Sequence, residues 1–365
     1  MISSMRVDRR MKRAETKLSA GRVFRGVGLV LGVLVLSTGG VGASGIVVDH
    51  TSIGLFEKIP ERYLRAARSL RVLFMDRSVG VNTNDALNCF TARDYRSSPI
   101  ICRRDYENHG GAWKMRIWRD LQSTRSQVPE AIRFVPDPQR YDRSRWRFYL
   151  FAGPWDRMMR EFVSGLHDRS IPVRLYPGNA PSHIDPLDFD VLSFQFGYLN
   201  LMQGSRISQL FSHRPGEFDD MYDLEREVES QLASAEPPRV FVYWTTNLAR
   251  SIGTEESAEF NRKMRRWCIE NGKILFDFAD IQSHDMNGDP CYDNRDGVPY
   301  STPSGNKNEN HPDDGKDLPA ICQENTIETD GGHLATAQGT VSVAKGFWVL
   351  VAQIAGWDPN HDRTP

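Results

Sequence analysis

In this chain of 365 residues, the side chains that could do chemistry together stand at two distant places. Near the end, ETDGGHLATAQG (residues 328–339) puts Asp330 three residues before His333, just ahead of an apolar stretch. Much earlier, RVLFMDRSVGVN puts Ser78 directly behind a short apolar run. A carboxylate that accepts the Nδ1 proton of an imidazole fixes the ring's tautomer, and Nε2 then takes the proton of a serine hydroxyl. The chemistry is acyl transfer, with Ser78 as nucleophile, His333 as base and then acid, and Asp330 as orienting group. Each piece also has a plainer reading. A Ser behind a strand caps helices, and the Asp–His segment reads equally as a polar loop before the last helix, with Thr336 as its cap.

These residues need elements to bring them together. Five apolar runs have strand length: RVLFM at 71–75, PVRLY at 172–176, DVLSFQF at 190–196, RVFVYW at 239–244 and KILFDF at 273–278. Helical patterns separate them, namely WDRMMREFVSGLHDR, MYDLEREVESQLAS and EESAEFNRKMRRWCIENG, and a last apolar stretch, VSVAKGFWVLVAQIAGW, runs to Gly356. Continuous apolar strands alternating with helices mean buried parallel strands. The expected class is α/β, a three-layer α/β/α sandwich around a five-stranded, mainly parallel sheet. Ligands of such sheets bind at the carboxyl ends of the strands. Ser78 follows the first strand, and Asp330 and His333 follow the fifth, so both fall at one crevice. Gly331 and Gly332 are expected to let the chain turn tightly between the two side chains.

Two segments break the rhythm. Residues 82–148, rich in Arg, Asn, Asp and Trp, show no clear strand and read as an insertion. Residues 284–326 are dense in Asn, Asp, Gly and Pro and read as a long loop. The domain proper is expected over 44–365.

Residues 1–43 carry eight basic side chains, the apolar run VGLVLGVLVL at 27–36 and small residues ending in Ala43. That is the pattern of a secretory signal peptide. An uncleaved N-terminal anchor is the alternative, because no charge falls between Arg25 and Asp49. Without this segment the 46 basic and 47 acidic residues of the chain become 38 and 45, a formal charge of −7. Such a surface gives nucleic acid and anionic membranes no electrostatic reason to bind. A small molecule is the default partner, and no cofactor is called for. Five cysteines in an exported chain invite disulfides. Local pairing gives Cys89 with Cys102 and Cys291 with Cys322, leaving Cys268 as a buried, inert thiol.

The order Ser, Asp, His and the blocks MDRSVG and TDGGHL resemble those of the SGNH, or GDSL-like, hydrolases. That superfamily has a flavodoxin-like fold, its nucleophile after the first strand and an Asp-x-x-His block near the end. The resemblance implies a serine esterase working through an acyl-enzyme, over roughly residues 70–357. It also implies a Gly and an Asn that bind the oxyanion: Gly178 in LYPGNAPS and Asn200 in FQFGYLNL, with Asn247 in YWTTNLARS as the alternative. Arg77 departs from the family's first block, and FQFGYLNL has one residue more than its third. These departures keep open a non-catalytic binding module on the same fold, and an O-acyltransferase using the same site is a further alternative.

The loop HDMNGDPCYDNRDG spaces Asp285, Asn287 and Asp289 like the opening of a calcium loop. Pro290 stands where the turn glycine belongs and no closing glutamate follows, so a metal-free Asn/Asp turn is expected. Trp113, Trp118, Trp146, Tyr149 and Trp155 are accounted for by packing, though aromatic faces also stack on sugars, which makes a carbohydrate ester a reasonable substrate.

Overall fold

The computed structural model describes residues 45–110, 112–118, 132–212, 224–227, 231–232, 234–250, 254–293, 301–303, 315–329 and 331–362. In chain order the elements are β1 (Val47–Val48), α1 (Glu61–Ser69), β2 (Val72–Asp76), α2 (Ser78–Thr91), β3 (Arg104–His109), β4 (Ala112–Ile117), β5 (Trp146–Leu150) and α3 (Trp155–Asp168). There follow β6 (Ile171–Arg174), β7 (Pro181–Ile184), β8 (Val191–Phe194), β9 (Val240–Trp244), α4 (Thr254–Glu270), β10 (Leu275–Phe276), α5 (Phe278–Gln282) and α6 (Ala337–Ile354). The central sheet has eight strands in the order β1-β10-β9-β8-β2-β5-β6-β7. Its first six are parallel to one another, and β6 and β7 are antiparallel at one edge.

The α/β class is as expected, but the sheet has eight strands where five apolar runs were legible. The main correction falls in the region taken for an insertion. β5 lies there and pairs with β2 along its whole length, yet WRFYL presents exposed Arg147 and is preceded by a run of arginines, so it shows no continuous apolar stretch. The same region holds α2, whose sequence SVGVNTNDALNCFT is polar, and the β3–β4 hairpin, which has no fully buried residue and hence no alternation to read. PVRLY forms β6, which joins the antiparallel edge instead of the parallel core. β1 is too short to register as an apolar run.

Alternate residues of a buried strand face opposite layers, and β2 divides accordingly. Val72 and Phe74 join the core beneath α6, while Leu73 and Met75 pack with Met158 and Phe162 of α3 and Phe260 of α4. α6 is buried from Ala337 through Ala352, its run of Val, Ala, Phe, Trp and Leu taking polar Gln338, Ser342 and Lys345 into the interior with it. It is covered by α1, α2 and the 3-10 segment His50–Lys58. Trp146 belongs to this core, its ring 4.4 Å from that of Trp348, and Trp118 is also buried. Trp113 and Trp155 anchor loops, donating to Ser301 Oγ and the Ser205 carbonyl.

Cys89–Cys102 and Cys291–Cys322 are disulfides, and Cys268 is free and buried, with its thiol pushed well up by burial. Two disulfides fit an oxidising compartment. Among the described residues no helix is long and apolar enough to cross a membrane. Residues 1–43 and half of MYDLEREVESQLAS lie outside the described residues.

Candidate active site

β2, β8 and β9 end side by side, and the loops behind them are tied together. The Gln195 side chain donates to the Thr245 carbonyl at 2.9 Å, and the Thr246 hydroxyl donates to the Phe196 carbonyl at 2.8 Å. Asp76 closes β2 and Arg77 caps α2 without a side-chain cap bond, so Ser78 is the first helical residue. Its hydroxyl is exposed and is not used for capping, which removes the plainer reading of this serine. Gly80 is required two residues further on. A Cβ there would lie 2.6 Å from Asp76 Cβ and 2.7 Å from the Phe148 ring, so any larger residue would push the first turn of α2 off the sheet.

The segment carrying His333 is held against these loops from the other side. Thr326 and Leu334 form an antiparallel bridge, making the residues between them an excursion toward the crevice. Gln282, buried at the end of α5, accepts the Leu248 N–H at 2.6 Å and donates to the Gly332 carbonyl at 3.3 Å. The Cys291–Cys322 disulfide fastens the base of the excursion, where the Cys322 N–H also donates to the Gln282 carbonyl. Neither Gly331 nor Gly332 is among the residues of positive φ. Their role is close approach, not the tight turn expected: a Cβ on Gly332 would strike the Leu248 carbonyl, and one on Gly331 the Glu328 carboxylate.

His333 does have an acidic partner, and it is Glu328. Oε1 of Glu328 lies 2.7 Å from His333 Nδ1, and Oε2 accepts the His333 backbone N–H at 3.1 Å. Asp330 lies outside the described residues. The hydrogen bond from Glu328 raises the His333 pKa against the opposing effect of burial. Burial works to raise Glu328, but the bonds from His333 outweigh it and hold the carboxylate below its usual range. The Tyr198 ring stands perpendicular to the imidazole, with centroids 6.2 Å apart.

Asp76 is fully buried, and no hydrogen bond of good geometry reaches its carboxyl oxygens. Burial pushes its pKa up to about 7, opposed by the nearby N–H groups of Arg77 and Gly80, the Arg77 charge and His333. Tyr198, whose ring meets the imidazole, follows Gly197, where a Cβ would lie 3.8 Å from Asp76 Oδ1, so the end of β2 and the imidazole border the same loop. Among the described residues no hydrogen bond joins Ser78 and His333.

Of the two asparagines, Asn247 faces this crevice. Its Oδ1 accepts the Tyr198 N–H at 2.6 Å, leaving Nδ2 without a partner among the described residues. A Cβ on Gly197 would lie 3.9 Å from that Nδ2 and 3.8 Å from Asp76 Oδ1. The Asn200 side chain is committed elsewhere, accepting the Gly197 N–H at 3.1 Å and donating to the Gly153 carbonyl at 2.7 Å. Gly178 sits at φ +108 in the β6–β7 turn. That turn borders a cavity of about 570 Å³ lined by Arg77, Ser78, Tyr176 and Asn179; Asn247 is not among its lining residues.

Ligand-type side chains also gather where β1 and β10 end. His50 Nδ1 meets the Asp280 carboxylate, and His284 Nδ1 approaches the Asp280 carbonyl at 2.8 Å. The ligand atoms of His50, Asp280 and His284 all lie within 4.8 Å of one another, and the two rings stack 3.7 Å apart at 10°, so their nitrogens lie in near-parallel planes. Asp285 Oδ1 takes the N–H groups of Asn287 and Asp289 at 2.7 and 2.9 Å, which makes this segment an Asx-type turn.

A scan of protein-family models, a search of curated proteins and a search of solved structures each found nothing that matches the chain.

Proposed function

We propose that the chain is an exported serine esterase of the SGNH type, cleaving an ester through an acyl-enzyme. The observation that carries this reading is the Glu328–His333 pair, held at the carboxyl-end crevice of a parallel sheet where Ser78 begins α2 with an uncommitted hydroxyl. Glu328 takes the orienting role first assigned to Asp330. Asn247 replaces Asn200 as the side-chain donor to the oxyanion.

In this mechanism Ser78 Oγ attacks the acyl carbon while His333 Nε2 accepts its proton. Glu328 stabilises the imidazolium that results. Negative charge builds on the former carbonyl oxygen. Asn247 Nδ2 and peptide N–H groups of the first turn of α2 meet it there, each such donor worth about 3 kcal/mol in the transition state. The imidazolium then protonates the leaving alkoxide, and water repeats the sequence to release the acid. The Ser–His contact closes when the acyl group is bound, since catalytic hydrogen bonds tighten in the substrate complex. Steady-state hydrolysis of p-nitrophenyl acetate by the chain and by its Ser78→Ala and His333→Ala variants tests the reading. Both variants must lose activity, and full activity in both would refute it.

The missing Ser78–His333 hydrogen bond favours one other reading, a binding module on the same fold. It would bind ester ligands without releasing acid.

A further inference from the structure

The cavity of about 570 Å³ beside Ser78 has an uneven distribution of charge. Three arginines line it, from three elements: Arg77 at the start of α2, Arg157 on α3 and Arg174 at the end of β6, with Glu161 as the acidic side chain among them. Arg157 pairs with Glu161 at 3.1 Å, and Arg174 donates one N–H to the Asn179 carbonyl at 3.2 Å. Arg77 is exposed and has no acidic partner among the described residues. Arg174, too, has no carboxylate in contact among the described residues. Apart from the buried Asp76 beside Arg77, neither guanidinium is paired with a carboxylate among the described residues, and both charges face the hollow, where a concave lining focuses their field.

The start of α2 adds to this field. Its first turn contains no acidic residue, and its free peptide N–H groups carry the positive end of the helix dipole. The rest of the lining mixes apolar side chains such as Val81, Leu150 and Val173 with the polar Asn179, Ser182 and His183. Charged, polar and apolar groups together suit an organic anion better than a bare ion.

We infer that this hollow receives an anionic group, a carboxylate or a phosphate, carried by the substrate whose ester bond reaches Ser78. The inference rests on the esterase reading for the ester, but not for the anion. Guanidinium forks match both oxyanions bidentately, and the hollow lies within one small-molecule length of the Ser78 hydroxyl that also lines it. The overall charge of the domain is negative, so this is a local positive field on an acidic surface. Neutral esters would bind here without that help.

Two readouts on the full chain test it. The first is calorimetric titration with succinate and, separately, inorganic phosphate at low salt, for the chain and for the double variant Arg77→Gln/Arg174→Gln. Binding is expected, weakened about tenfold or more in the double variant, as loss of hydrogen bonds to a charged group implies, and weakened by added salt. The stronger of the two ligands tells carboxylate from phosphate.

The second readout is the ratio of kcat/KM for p-nitrophenyl hemisuccinate to that for p-nitrophenyl butyrate, which should exceed one and fall toward one in the double variant. Absence of binding by both anions, together with equal turnover of the two esters, would overturn the inference and leave the esterase reading intact. Anion binding that depends on the arginines, with no ester cleaved at all, would uphold the hollow and refute the esterase.

Discussion

The Glu328 carboxylate grips His333 twice, through Nδ1 at 2.7 Å and through the backbone N–H at 3.1 Å. The ring is thus fixed in tautomer and in direction by a residue five positions away, while the carboxylate folds back over Gly331. Glu328→Gln should lower kcat by about a hundredfold or more, the cost of losing the orienting acid. Asp330→Asn should cost far less. Equal losses in the two variants would return the orienting role to Asp330.

The pH dependence follows from the same pair. His333 must be neutral to act as base, and its pKa is raised above 6.5 by Glu328. Activity should therefore climb with pH through a value above 6.5. Glu328→Gln removes the main cause of the rise, so the acid limb should move to lower pH. A pH–rate profile of kcat/KM for both proteins checks the shift.

Asp76 gives a stability prediction of opposite sense. The unfolded carboxyl loses its proton near its ordinary value of 3.8, but the folded one keeps it to about 7. The unfolded state binds fewer protons across that window, so this group removes stability as pH rises through it. Asp76→Asn cannot ionise. Its melting temperature, relative to that of the unmodified chain, should rise by a few degrees between pH 4 and 7 and level off above. A difference independent of pH would contradict the burial argument.

The two asparagines should separate stability from catalysis. Asn200→Ala leaves the Gly197 N–H and the Gly153 carbonyl without partners and should cost about 1–3 kcal/mol of stability in denaturant titration. Asn247→Ala should lower kcat about a hundredfold through the lost oxyanion donor.

Gly331→Ala is a probe that alters neither member of the pair. Its methyl group would occupy the place of the Glu328 carboxylate, so the His333 pKa followed by NMR should drop toward its ordinary value. An unchanged titration would mean that the carboxylate sits elsewhere.

The core strands were legible where they are buried on both faces, though not their order in the sheet. β2, β8 and β9 carry unbroken apolar runs, and Ser78 and His333 follow from where such runs end. What escaped was whatever is only half buried. β5 alternates with exposed arginines, and the β3–β4 hairpin and α2 show surfaces too polar for a period to emerge. Within the site, the Asp-x-x-His spacing drew attention to Asp330, whereas the contact is made by Glu328 because Gly331 allows its carboxylate to approach. Asp76 was visible as a letter, but its burial depends on the packing of Gly80 and Phe148, which no local pattern encodes. Asn200 looked suitable by position, and only its two hydrogen bonds reveal a structural role.

The central claim is that Ser78 is a nucleophile activated by His333. Incubation with a fluorophosphonate probe, followed by peptide mapping in the mass spectrometer, tests it most directly. The account predicts one adduct, on Ser78, absent from Ser78→Ala and formed much more slowly in His333→Ala. No adduct on the unmodified chain, or an adduct on another serine, would contradict it.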